Sequence, residues 1–294
     1  MGISESILAA GRRLCTQLDV PGIAGLHLPE LSSEDEFRDE FGFVFLDDGV
    51  AAPFYVSLPG TLECLHDRFP RPEQASPSLS ECLESFSGTS LPDRALAVGA
   101  WNAVSQHLMR RAGFHCPPRG KSSANQPEPG EKIGMVGYFC PIIDRLVEAG
   151  NEVLVVEQQP GRVPKRPGVE LSEDLGSLAQ CRLVYCTAST LINDSLEQVL
   201  QNCASAESVD LIGPTGSGLP DVVFEYGIDT VGGVSFEDAR TLREVLARRE
   251  SWGSVGSKYE LTPENYPGIE ALFTAALENC PEYQSQNRIN STGG

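Results

Sequence analysis

Four short clusters in the second half of the chain carry residue types that bind small molecules. The first is Gly134-Met135-Val136-Gly137-Tyr138-Phe139. Glycines after a strand permit a tight turn and close backbone approach to a ligand, and a following helix N-terminus favours an anion. The spacing is not Gly-x-Gly-x-x-Gly, and Pro141 removes one backbone donor, so a dinucleotide pyrophosphate gains little support here. The second is Glu157, where an acidic side chain suits ribose hydroxyls, a metal or a cationic group. The third runs Thr187-Ala188-Ser189-Thr190-Leu191-Ile192-Asn193-Asp194-Ser195. Helix capping accounts for one of Asn193, Asp194 and Ser195, which leaves the other polar groups for a ligand. The fourth is Gly213-Pro214-Thr215-Gly216-Ser217-Gly218, able to present backbone N–H groups to an anion or carboxylate. It lacks the lysine of a P-loop, which argues against triphosphate hydrolysis.

No nucleophile and base stand together. His27, His66, His107 and His115 all precede these clusters, and no stretch resembles a nucleophile elbow. The chain has nine cysteines and no Cys-x-x-Cys spacing. His115-Cys116 is the one adjacent His/Cys pair, without a second pair at ligand spacing. The cysteines read as small buried hydrophobes, with Cys181 and Cys186 flanking a buried strand.

The elements that must position these residues follow a regular rhythm after Lys132. Strands are expected at Lys132–Val136, Glu152–Glu157, Leu183–Thr187, Ser208–Gly213 and Thr230–Phe236. Helices are expected at Pro141–Ala149, Ser172–Ala179, Ser195–Cys203, Leu219–Tyr226 and Glu237–Arg249. Such alternation implies a parallel sheet covered on both faces, with ligands beyond the carboxyl ends of its strands.

The first part of the chain mixes the two element types. Ile3, Ile7, Ala10, Leu14 and Leu18 form one stripe of an amphipathic helix. Phe41–Leu46 and Val50–Leu58 form a hairpin around Asp47-Asp48-Gly49, with Pro53 indicating an edge strand or a late strand start. Ser78–Ser87 reads as a short helix. Leu91–Ala112 is a longer one, apolar on several sides and therefore buried between layers. Asn102 on that helix must find hydrogen-bond partners, either in the protein or in a ligand. The expected organisation is an α+β domain over 1–114, a linker over 115–131, a Rossmann-like ligand-binding domain over 132–280 and a flexible tail over 281–294.

A net charge of −19 and a pI of about 4.6 repel phosphate backbones, which excludes nucleic acid as the expected partner. No apolar run reaches the ~18 residues of a membrane span, and Met1–Leu18 lacks a signal-peptide core. A cytoplasmic protein, monomeric or a homo-oligomer, is expected.

The order of motifs resembles the putative heavy-metal chelation family. The residues that carry the resemblance are Val136-Gly137-Tyr138-Phe139, Val155-Val156-Glu157, Thr190-Leu191-Ile192-Asn193, Gly213-Pro214-Thr215 and Gly227-Ile228-Asp229, between Lys132 and Arg249. The Phe43–Leu58 hairpin and the Leu91–Ala112 helix with Asn102-Ala103 look like the enolase N-terminal fold that accompanies this family. The resemblance implies an interdomain cleft lined by Asn102, Glu157, Asn193 and the Gly213 loop. It also implies handling of a metal ion, a metal chelate or a metal-chelating molecule. Three readings stand side by side. One is a protein that binds or processes such a molecule. A second is an enzyme using NAD or S-adenosylmethionine, and a third is a non-catalytic assembly protein with a large apolar patch.

Overall fold

The computed structural model describes residues 1–31, 40–119 and 127–279. Along the chain, α1 (Ile3–Gln17) leads into a small antiparallel sheet of β1 (Ile23–His27), β2 (Phe41–Leu46) and β3 (Ala51–Tyr55), in the order β1-β2-β3. β2 and β3 are the expected hairpin, and Gly49 takes φ +84° in its turn. Pro53 lies on β3, the edge strand, where its missing N–H costs no ladder bond. β1 was not anticipated from the sequence.

The helices α2 (Thr61–Arg68), α3 (Leu79–Glu84) and α4 (Leu91–Arg111) follow. On α4 every residue from Arg94 to Met109 is buried. One face of the small sheet packs on this helix, and Gly99 lets it close. A Cβ at Gly99 would meet Phe54 at 2.7 Å and Val44 at 2.9 Å. The other face, through Phe43 and Phe45, packs on Val234, Phe236, Leu242 and Leu246. β2 is thus covered on both sides, which explains its unbroken apolar run.

The second half contains β4 (Lys132–Val136), α5 (Cys140–Glu148), β5 (Glu152–Val156), β6 (Val169–Ser172), β7 (Leu183–Thr187), α6 (Leu196–Asn202) and β8 (Ser208–Ile212). It continues with α7 (Asp221–Glu225), β9 (Thr230–Ser235), α8 (Ala239–Ala247), β10 (Ser257–Leu261) and α9 (Ile269–Glu278). The strands form one sheet in the order β10-β9-β8-β7-β4-β5-β6. All pairings are parallel except β10 with β9. From β4 the chain winds outward to β5 and β6, then returns to β7, β8 and β9. This is the doubly wound arrangement, and its order reverses between β4 and β7. One continuous hydrophobic core runs from α1 and α4 into the large sheet. No helix among the described residues is long and apolar enough to cross a membrane.

One local expectation fails. Ser172–Ala179 is not an α-helix; β6 ends at Ser172 and a 3₁₀ stretch covers Leu175–Gln180. Short polar side chains win locally, as Ser172 Oγ accepts from Asp174 N at 3.1 Å and Asp174 Oδ1 accepts from Gly176 N at 2.9 Å. Part of the expected linker or loop pairs with the large sheet. Arg119 N donates to Lys258 O and Glu260 N to Pro117 O, so residues 117–119 lie along β10. The expected flexible tail lies outside the described residues.

Asp210 sits on central β8 with 4% exposure. Burial raises its pKa to about 6, opposed by the hydroxyl of Ser208 at 3.0 Å and reinforced by Glu260. The folded chain therefore holds a proton that the unfolded chain has released between about pH 4 and pH 6. Stability from this group is present at low pH and is lost as pH rises through 6. Asp210→Asn removes the buried charge. We expect it to raise unfolding free energy at pH 7.5 by about 2–3 kcal/mol relative to wild type, with little change at pH 4. Urea unfolding at the two pH values checks this, and equal effects at both would refute it.

Candidate functional site

The carboxyl ends of β4, β5, β6, β7 and β8 open into a cleft of about 960 Å³, closed on its far side by the β2–β3 hairpin. Ten of the eleven residues proposed from the sequence line it. From β4 come Gly137, Tyr138 and Phe139, and from β5 comes Glu157. Thr187, Thr190 and Asn193 follow β7, and Gly213, Pro214 and Thr215 follow β8.

Asn102 is the exception. It is fully buried beneath the Gly213 loop and does not reach the cleft. Its Nδ2 donates to Pro53 O at 2.8 Å and Thr215 O at 3.0 Å, tying β3 to the loop. A polar group on a helix buried all round needs such partners. Gln106 Nε2 donates to Ser217 O at 2.8 Å, and Leu219 N donates to Ser105 Oγ at 3.0 Å. Three successive polar positions of α4 thus hold the loop from below.

At the end of β4, Gly137 takes φ +86° and Gly213, after β8, takes φ +111°. The Phe139 ring lies across both: a Cβ at either glycine would meet it at 3.7 Å. Phe139 is also the N-cap of α5, and its carbonyl accepts from Ile142 N and Ile143 N at 3.0 Å each.

The polar run after β7 is hydrogen-bonded largely within itself. Thr190 Oγ1 donates to Thr187 O at 2.7 Å, and Thr187 Oγ1 accepts from Ser189 N at 3.3 Å. Asn193 Oδ1 accepts from Ser195 Oγ at 2.6 Å. Asp194 takes φ +59°, a left-handed conformation uncommon outside glycine. Arg94 of α4 holds it there. Only 2% exposed, Arg94 donates to Ile192 O at 2.6 Å, Leu191 O at 2.9 Å and Asp194 Oδ1 at 2.9 Å. The same guanidinium reaches Phe86 O at 2.7 Å and Ser4 Oγ at 2.8 Å.

Glu157 is half-buried, and its Oε1 accepts from Gln159 N at 2.9 Å. Glu173 and Asp174 follow β6 and also line the cleft. The sequence reading missed them because it missed β6; the strand-end rule would have found them. It also missed the hairpin's contribution of Glu40, Phe41 and Tyr55. Arg162 bridges the rim there, donating to Glu40 Oε1 at 2.8 Å and to Tyr55 Oη at 3.2 Å, while Tyr55 Oη donates to Glu40 at 3.1 Å. Burial pushes the Tyr55 hydroxyl above its ordinary pKa.

Cys140 lines the cleft, exposed, with its thiol toward Asp144 Oδ2 at 3.4 Å. Cys116 does not; it packs on Met109 Sδ, and burial pushes its thiol up to about 12. Among the described residues no three His, Cys, Asp or Glu side chains converge as a metal cage.

Fold and cleft together define a doubly wound α/β protein with a smaller antiparallel sheet closing its strand-end crevice. Residues 123–262 match the model of the family described as putative heavy-metal chelation. An uncharacterized protein of Methanocaldococcus jannaschii is 28% identical over 167 residues, which is 55% of this chain and 61% of that relative. The chain thus spans less than two thirds of that relative's length. Two solved structures of unknown function from the same family share the fold. The Pyrococcus horikoshii protein has a TM-score of 0.63 at 19% identity, over 88% of this chain and 99% of the other. The Desulfitobacterium hafniense protein has a TM-score of 0.60 at 15% identity, over 88% and 98%. The resemblance read from the strand-end motifs is borne out.

Proposed function

We propose that the protein binds or processes a small metal-bearing or metal-chelating molecule in the strand-end cleft. One observation carries this reading. Strand-end loops and the opposing hairpin converge on one large cavity that holds carboxylates, hydroxyls and aromatic rings but, among the described residues, no three-ligand metal cage. Such a lining suits a molecule that brings part of the metal's coordination with it. Oxygen groups of Glu157, Thr190 and Asn193 suit a hard cation or a polar organic group. Cys140 is placed to add a soft ligand. The family's description agrees with this substrate class.

A second reading keeps one supporting observation. Glu157 stands at the end of β5, where doubly wound folds hold ribose hydroxyls. A nucleoside cofactor such as S-adenosylmethionine therefore remains a defined competitor. The third reading is a non-catalytic assembly protein. Among the described residues the exposed large hydrophobic side chains are Met1, Leu31, Leu171 and Leu277, on separate parts of the chain. A cytoplasmic compartment is part of the proposal, in keeping with free buried cysteines.

Native mass spectrometry of protein purified without chelators or a metal-affinity tag tests the reading. We expect a mass excess matching a metal complex, reduced at least tenfold in occupancy by Glu157→Ala. An excess matching a nucleoside would replace the first reading with the second. An excess indifferent to Glu157 would remove the cleft as its site.

A further inference from the structure

Doubly wound folds place a pyrophosphate at the crevice where strand order reverses, against the N-terminus of the first helix. Here that place is taken by the chain itself. The Phe139 ring spans the Gly137 and Gly213 turns, 3.7 Å from where each Cβ would stand. The first turn of α5 offers little to an anion. Pro141 has no N–H, and the N–H groups of Ile142 and Ile143 bond to Phe139 O. Of the first four residues, Cys140 alone retains a backbone donor for a ligand.

The charges point the same way. The cleft is lined by four carboxylates, Glu40, Glu157, Glu173 and Asp174. Against them, among the described residues, stands one cation, Arg162, already paired with Glu40 at 2.8 Å and bonded to Tyr55. The aromatic lining of Phe41, Tyr55, Tyr138 and Phe139 adds negative ring faces, which attract cations.

We propose that the cleft selects positively charged, phosphate-free ligands, with Phe139 as the side chain that shuts out phosphate. This rests on the reading of the cleft as the ligand site. It narrows that reading to cationic metal complexes and organic cations, and it excludes dinucleotides.

Calorimetric titration of the full chain tests the proposal with three probes. Hexaamminecobalt(III) is a substitution-inert cation, tris(oxalato)cobaltate(III) is its anionic counterpart, and NAD is the dinucleotide. Variants Glu157→Gln and Phe139→Ala are compared with Glu225→Gln, a carboxylate on α7 outside the cleft. Circular dichroism confirms that each variant is folded. The expected result is that hexaamminecobalt(III) binds and Glu157→Gln weakens it at least fivefold, against less than twofold for Glu225→Gln. Neither the oxalato complex nor NAD should bind wild type at millimolar concentration. Phe139→Ala should strengthen NAD binding at least fivefold. An anionic probe that binds wild type and is weakened by Glu157→Gln would overturn the charge selection yet keep the cleft as the ligand site. Equal loss of cation binding in Glu157→Gln and Glu225→Gln would overturn the cleft reading as well. No gain for NAD in Phe139→Ala would overturn the role given to that ring.

Discussion

Replacing Arg94 with alanine is expected to cost about 3–5 kcal/mol of folding stability, because it leaves several buried carbonyls without a donor. The argument runs through the partners left behind. Carbonyls of Phe86, Leu191 and Ile192 all accept from this guanidinium, and all would lose their donor in a dry interior. An unsatisfied buried polar group costs about 1–3 kcal/mol. Asp194, at φ +59°, would also lose its charged partner and keep the Ser4 hydroxyl at 2.6 Å. Burial lowers the Arg94 pKa, with Asp194 acting in the other direction, so the network stabilises the charge against desolvation. Arg94→Lys keeps a charge but cannot reach partners spread around a planar fork, and should recover less than half of the loss. Urea unfolding of the three proteins measures the effect. A cost below about 1 kcal/mol for alanine would show that the network acts as an exposed ion pair does. A functional consequence goes with it. The loop from Thr190 to Asn193 lines the cleft, so the alanine variant should bind any cleft ligand more weakly even where it remains folded.

Arg94 also shows where sequence reading stops. An arginine in the first turns of a helix is ordinarily a solvated side chain. Its role exists only because α1, the Phe86 turn and the loop after β7 meet at one point in space. The doubly wound core was legible for the opposite reason. Strands buried on both faces write themselves as apolar runs, as Leu183–Thr187 and Val153–Val156 do. The site residues on those strand ends were legible with them, because the rule that places ligands there needs only strand positions. β6 was missed because an edge strand with exposed Glu170 and Leu171 carries no such run. β10 alternates, with Tyr259 and Leu261 buried and Ser257 and Lys258 exposed, and its pattern went unread. The Glu40, Tyr55 and Arg162 rim depends on how the small sheet docks on the large one, and no local pattern records that. Asn102 was correctly singled out as needing partners, but the sequence does not say on which side of the Gly213 loop it would lie.

Gly218 carries the second large effect. The loop from Gly213 to Pro220 lies flat on α4, and at Gly218 the approach leaves no room for a side chain. A Cβ there would stand 2.2 Å from Trp101 Nε1, 2.5 Å from Trp101 Cδ1 and 3.0 Å from Asn102 Oδ1. Trp101 is 3% exposed and cannot swing into solvent. Gly218→Ala must therefore push the loop off the helix or force Trp101 into a strained rotamer. Overpacking of this kind costs about 1–3 kcal/mol, and lifting the loop adds the loss of hydrogen bonds from Asn102 and Gln106. We expect a total of about 3–5 kcal/mol, within the range of named core disruptions. Gly161→Ala provides the control. That glycine also sits beside the cleft, nothing lies within 4 Å of its Cβ position, and its change should stay within about 0.5 kcal/mol of wild type. Thermal unfolding of the two variants separates a steric cause from a general intolerance of change near the cleft. If Gly218→Ala proves as mild as Gly161→Ala, α4 does not set the height of the loop. The Gly213–Thr215 wall of the cleft would then be free to move independently of the core beneath it.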